Sequence, residues 1–146
     1  MLKLREVKKA LIDVLKMRFT NPVYFDNVEK AKESYFYIEM APSRKTVDSA
    51  IYERSIDIDI DIQYVAIPDK AIRRNRTEIL DVIDELDEII RPVIRVKDRA
   101  ITVSDIRCTI FDEILHYRFE MNFADAFEDQ ETGELIEELN LVITKE

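Results

Sequence analysis

The chain has 146 residues, 47% of them hydrophobic, with 31 acidic against 22 basic side chains and a formal net charge of −9. That length and apolar content specify one domain with a real core and exclude intrinsic disorder. A single glycine, Gly133, removes every glycine-dependent phosphate or nucleophile motif, the single Cys108 removes an internal disulfide, and no apolar run approaches the ~20 residues of a membrane span.

The acidic balance opposes nucleic-acid binding, which relies on basic patches to neutralise phosphate. At the N-terminus, charges at Lys3 and Arg5 interrupt any signal-peptide core, so a cytosolic origin is expected. No internal repeat or low-complexity tract is present.

In chain order, residues 3–18 read as an amphipathic helix. Leu4, Val7, Leu11, Val14 and Leu15 recur at helical spacing, while Lys3, Arg5, Lys8, Lys9, Lys16 and Arg18 make the other face basic. Asn21-Pro22 ends it. Val23-Tyr24-Phe25 is a short strand, and residues 26–33 a polar loop. Ser34–Met40 is aromatic and β-branched and reads as a strand, with a turn expected over Pro42–Lys45. Ser55–Val65 then alternates strictly. Ile56, Ile58, Ile60, Ile62 and Tyr64 share one face, and Asp57, Asp59, Asp61 and Gln63 the other, the pattern of a half-buried strand.

Pro68 starts a second helix that Pro92 closes. Its first turns are basic (Lys70, Arg73, Arg74, Arg76) and its second half acidic (Asp81, Asp84, Glu85, Asp87, Glu88). This reverses what the helix dipole prefers and points to a partner surface. Val93–Val96 and Ile101–Phe111 are strands around a Lys97-Asp98-Arg99 turn. Ile114–Phe123 is another, with Leu115, Tyr117, Phe119, Met121 and Phe123 inward. Residues 124–134 form an acidic loop, and Leu135–Thr144 a final strand or arm. The expected organisation is one α+β domain over residues 1–123, to which residues 124–146 belong as loop and arm. Its sheet is mainly antiparallel, because long strands follow one another through short turns.

Three groups invite chemistry. Asp57, Asp59 and Asp61 are the first, but alternate residues on a strand stand about 6.8 Å apart, and a metal demands closer convergence. A solvated or interface-facing strand is the expected reading, with a metal-dependent nuclease as the lesser alternative. His116 is the only histidine; it is expected to face outward, with no partner marked. Cys108 is expected to be a buried small hydrophobe on an apolar face. No catalytic, cofactor-binding or metal residue is assigned. The residues expected at a subunit interface or channel are Asp57, Asp59, Asp61, Lys70, Arg73, Arg74 and Arg76. Basic helix starts and acidic strands can pair head to tail between copies and close a ring.

Taken together, the segments resemble the tail terminator (tail completion) family of bacteriophages and phage-tail-like particles. The resemblance spans Leu4 to Phe123. It is carried by the helix ending at Phe19, the strands Val23-Tyr24-Phe25 and Tyr35–Met40, and the strand entered through Tyr52-Glu53-Arg54. The helix Glu78–Leu86 and the closing strand Ile114–Met121 complete it. Two departures stand out: Lys32-Glu33-Ser34 replaces a Gln or Pro before the aromatic strand, and the segment after Phe123 is long.

The resemblance implies a mixed sheet with helices packed on it, and six subunits in a ring that caps the tail tube and stops its growth. It implies contact with tube protein, with the neck or connector, and with sheath protein where the tail contracts. DNA would only pass through the channel, and neither a membrane nor a cofactor is involved. Another head–tail joining or neck protein of similar build is the alternative.

Overall fold

A computed structural model describes residues 2–26, 31–47, 53–67 and 76–126. The elements in order are α1 (Leu4–Lys16), β1 (Val23–Tyr24), β2 (Tyr35–Val47), β3 (Glu53–Val65), α2 (Arg76–Ile90), β4 (Val93–Val96), β5 (Arg99–Phe111) and β6 (Ile114–Ala126). The six strands form one sheet in the order β1-β2-β3-β6-β5-β4. Among the described strands only β1 runs parallel to its neighbour; the other pairings are antiparallel. The α+β arrangement expected from the sequence is the one observed.

One face of the sheet is the core. Ile56, Ile58, Ile60, Ile62 and Tyr64 of β3 are buried beside Leu115, Tyr117, Phe119, Met121 and Phe123 of β6. Helix α1 closes over this face with Val7, Ala10, Leu11 and Leu15, and α2 with Ile79, Val82, Leu86 and Ile90. The two periodicities in the sequence, two for strands and 3.6 for helices, thus converge on one apolar layer.

Polar ties fix the helices to the sheet. The Arg18 guanidinium donates to Glu85 at 2.7 Å and to Glu88 at 2.9 Å, joining the end of α1 to α2. Both carboxylates, Glu88 first, raise its pKa further above the ordinary arginine value. Part of the acidity of α2 is therefore answered inside the chain. Lys97, in the β4–β5 turn, lies 3.0 Å from Glu6 of α1. That Glu6 oxygen makes no well-aimed hydrogen bond, so the contact is a charge attraction.

Three local features differ from the sequence reading. First, β2 does not turn at Pro42–Lys45 but continues to Val47, pairing with β3 throughout. The Phe36 N–H donates to Pro22, on the outer side, so the N–H groups of residues 38 and 40 and the missing one of Pro42 share that side. No described strand covers β2 there, so Pro42 removes no ladder bond.

Second, β5 carries a bulge between Ser104 and Arg107, with Asp105 at φ 53°. Ser104 pairs with Glu120 and Arg107 with Arg118, leaving Asp105 and Ile106 together opposite Phe119. The inward set therefore switches from Ile101 and Val103 to Ile106, Cys108 and Ile110. Third, Cys108 is exposed, not buried. It lies on the apolar side opposite Tyr117, but β4 pairs only with residues 99–102 of β5, so among the described residues Cys108 stands at an unpaired edge of the sheet. Phe111, near the tip of the β5–β6 hairpin, is 73% exposed.

That hairpin turns through Asp112 and Glu113, both at positive φ (52° and 62°). A two-residue loop with this geometry favours glycine at the second position, because a side chain there crowds the backbone. Glu113→Gly is accordingly expected to stabilise the chain by about 1 kcal/mol, read as a higher urea midpoint at unchanged slope.

Candidate functional site

The face of the sheet opposite the core has no described helix over it. Cross-strand registers lay its side chains out in rows. Tyr37, Gln63, His116 and Thr109 form one row; Glu39, Asp61, Arg118 and Arg107 the next; Ala41, Asp59, Glu120 and Ser104 a third. Glu39, Asp59, Asp61, Asp105, Arg107, Arg118 and Glu120 line a hollow of 360 Å³, with Ala41 leaving space at its side.

Asp61 is the centre of the polar network. Its Oδ2 lies 3.1 Å from Nδ1 of His116, accepts from Gln63 at 3.2 Å and sits 3.5 Å from Nε of Arg118. The side chains of His116 and Asp61 are only 14% and 15% exposed. Oδ1 of Asp61 is buried without a hydrogen-bond partner among the described residues. His116 does lie on the polar face, but it has a partner that the sequence did not mark: Asp61 is 55 residues away, and only the β3–β6 pairing brings the two together.

The other two aspartates of the alternating strand behave differently. Asp57 accepts from the Asn122 side chain across the β3–β6 pair. Asp59 is exposed and stands directly opposite Glu120, also exposed. The nearby cations are engaged elsewhere, Arg118 with Asp61 and Arg107 with Asp105 at 3.2 Å. Like charges directly opposite on a sheet face are destabilising, so Asp59 and Glu120 form a locally unfavourable pair at the middle of the uncovered face. Among the described residues, no group of three or more His, Cys, Asp or Glu side chains is arranged to hold a metal ion.

Of the basic residues singled out at the start of the second helix, Arg76 is exposed in the first turn of α2. Lys70, Arg73 and Arg74 lie outside the described residues, as do the acidic loop and arm beyond residue 126. Among the described residues, the structure thus gathers the three aspartates on one surface with Glu39 and Glu120, which the sequence reading had not grouped with them.

On the opposite side of the sheet, the Tyr117 hydroxyl donates to Asp87 of α2 at 2.6 Å, and Arg91 lies 3.7 Å from the same carboxylate. Burial raises the Tyr117 pKa most, followed by the bond to Asp87 and its negative charge. The Cys108 thiol is raised as well, by lost hydration and then by Asp87, which disfavours a reactive thiolate. Because the fold holds the Tyr117 proton beyond the ordinary value of 10.0, its contribution is complete below pH ~10 and is lost as pH rises above that. Alkaline titration is expected to erode stability from about pH 10 upward, and Tyr117→Phe to flatten that part of the pH–stability curve in urea melts.

No helix among the described residues is long and apolar enough to cross a membrane. Comparison with curated proteins finds no match. One solved structure, 16% identical in sequence, aligns over 88% of this chain and 99% of its own at a TM-score of 0.45. A family model described as phage tail terminator protein matches residues 6–133, most of the chain and all of the described sheet. The match covers all but the first two residues of α1, the whole of α2 and every described strand, so the chain belongs to the phage tail terminator family.

Proposed function

We propose that the chain is a structural subunit of a ring of six that caps the finished tail tube, stops addition of tube protein and offers a docking face to the neck or connector. In a contractile tail it also meets the last ring of sheath. Membership of the tail terminator family carries this reading, and the form of the molecule agrees with it. One sheet face is consumed by the core, while the other is a broad charged surface with no described element over it. A ring subunit needs such surfaces and needs no turnover chemistry. The exposed acids of α2 outside the Arg18 contact, Asp81 and Asp84, suit a wall past which DNA slides, since like charge prevents adhesion.

The test is the length of tails assembled without the protein. Negative-stain images are expected to show tubes of uncontrolled, excessive length, corrected when the protein is supplied. Tubes of normal length that fail only to join heads would overturn the terminator role and assign the chain to the neck instead.

A further inference from the structure

Two uncovered surfaces of this chain carry opposite charge at nearly the same spacing. On α1, a helical step of about 100° per residue sets Arg5, Lys9 and Lys16 along one line, opposite the buried Val7, Ala10, Leu11 and Leu15. All three cations are exposed; Lys9 also lies 3.8 Å from Asp13 one turn on, and Lys16 donates to the Asn21 carbonyl, contacts that solvent leaves weak. Arg5 and Lys9 are one turn apart, about 6 Å along the axis. On β3, Asp57 and Asp59 are about 6.8 Å apart on one face. Beside them, the Asp59–Glu120 pair lacks a neutralising cation within the described fold.

We propose that the outer face of β3 and β6, centred on Asp57, Asp59 and Glu120, receives the Arg5–Lys9–Lys16 face of α1 from a second copy of the chain. This rests on the ring reading above and names the contact that builds the ring. The unfavourable Asp59–Glu120 pair is then resolved in the assembly, where a cation enters between the two carboxylates. A folded monomer tolerates the pair because both groups are hydrated.

The two surfaces lie on opposite sides of the sheet, since α1 packs on the core side against β4 and α2. The contact is therefore head to tail and propagates. On a flat sheet it would build a straight stack. From β3 to β4 there are three strand steps, and twist of roughly 20–25° per step turns the α1 surface by about 60–75° relative to β3. Such a contact closes into a ring where the rotation between copies permits and runs into a filament where it does not.

Charge exchange tests the contact. Variant one carries Asp57→Lys with Asp59→Lys; variant two carries Arg5→Glu with Lys9→Glu. Each is checked for a wild-type circular dichroism spectrum and melt. Self-association is then followed by sedimentation velocity, and ring formation on tube ends by negative stain. Each variant alone is expected to lose association at least tenfold. An equimolar mixture is expected to recover it, because the glutamates of one face the lysines of the other around an alternating ring. Wild-type association is expected to weaken as salt rises.

If wild type associates and both variants match it, the contact is overturned while the ring stands. If only variant one is impaired and mixing rescues nothing, the sheet face belongs to another cationic segment and the assignment to α1 falls. If wild type forms no ring either alone or on tube ends, the ring reading itself fails, and this contact with it.

Discussion

Leu11→Ala is expected to destabilise the chain by about 2–5 kcal/mol, measured as a drop in urea midpoint. Leu11 is fully buried on α1 and shares its stripe with Val7, Ala10 and Leu15. Truncation removes its transfer free energy and leaves a cavity between α1 and the sheet. The helix cannot simply settle inward, because it is held at both ends. Glu6 is tied to Lys97 near the first turn, and Arg18, just past the last, is tied to Glu85 and Glu88. Leu80→Ala supplies the control: Leu80 is 51% exposed on α2, and truncation there is expected to fall within about 0.5 kcal/mol. Equal effects at the two positions would mean that α1 does not pack as described.

Asp59→Lys is expected to move two quantities in opposite directions. Within the monomer it converts a like-charge pair with Glu120 into an attractive one, a gain of roughly 0.2–1 kcal/mol. In the assembly it sets a cation against the cationic face of α1, and association is expected to fall about tenfold, equivalent to ~1.4 kcal/mol. Urea melts at low concentration read the first effect; sedimentation or cross-linking reads the second. A stabilised monomer that assembles less well is the signature of a residue kept for contact with a partner. A destabilised monomer would show instead that Asp59 serves the fold of β3.

The sequence disclosed most of this fold wherever hydrophobic period and burial coincide. The Ile-Asp alternation of β3 and the Leu115–Phe123 alternation of β6 each named their inward residues correctly. The α1 stripe did so for Val7, Leu11 and Leu15, with Leu4 and Val14 only partly buried. Failures came where long-range context overrode local chemistry. Pro42 signals a turn unless its neighbours are known; only the position of β2 at the uncovered edge lets the strand run through it. Cys108 sits on the expected apolar side, but that β4 stops short and leaves this part of β5 as an edge is a tertiary fact. The bulge at Asp105 left no glycine to mark it.

The candidate surface was half legible for the same reason. Alternation placed Asp57, Asp59 and Asp61 on one face. It could not say that Asp61 would be enclosed by His116, Gln63 and Arg118, or that Asp59 would confront Glu120, because strand pairing decides both. The resemblance in segment order nonetheless identified the family that the comparison supports.

Pro42 on the uncovered side of β2 has a consequence for how copies of the chain can meet. Beyond β1, which takes up the N–H of residue 38, an incoming strand laid along that edge would find the donor of residue 40 followed by none at Pro42. Growth by continuous strand pairing, the route to fibres, is thereby discouraged, and association is left to side-chain faces. Assembly should then proceed without recruiting new main-chain hydrogen bonds along β2. Amides of residues 38–41 are expected to exchange with deuterium as fast in the assembled state as in the free subunit, while side chains on β3 and α1 lose their solvent.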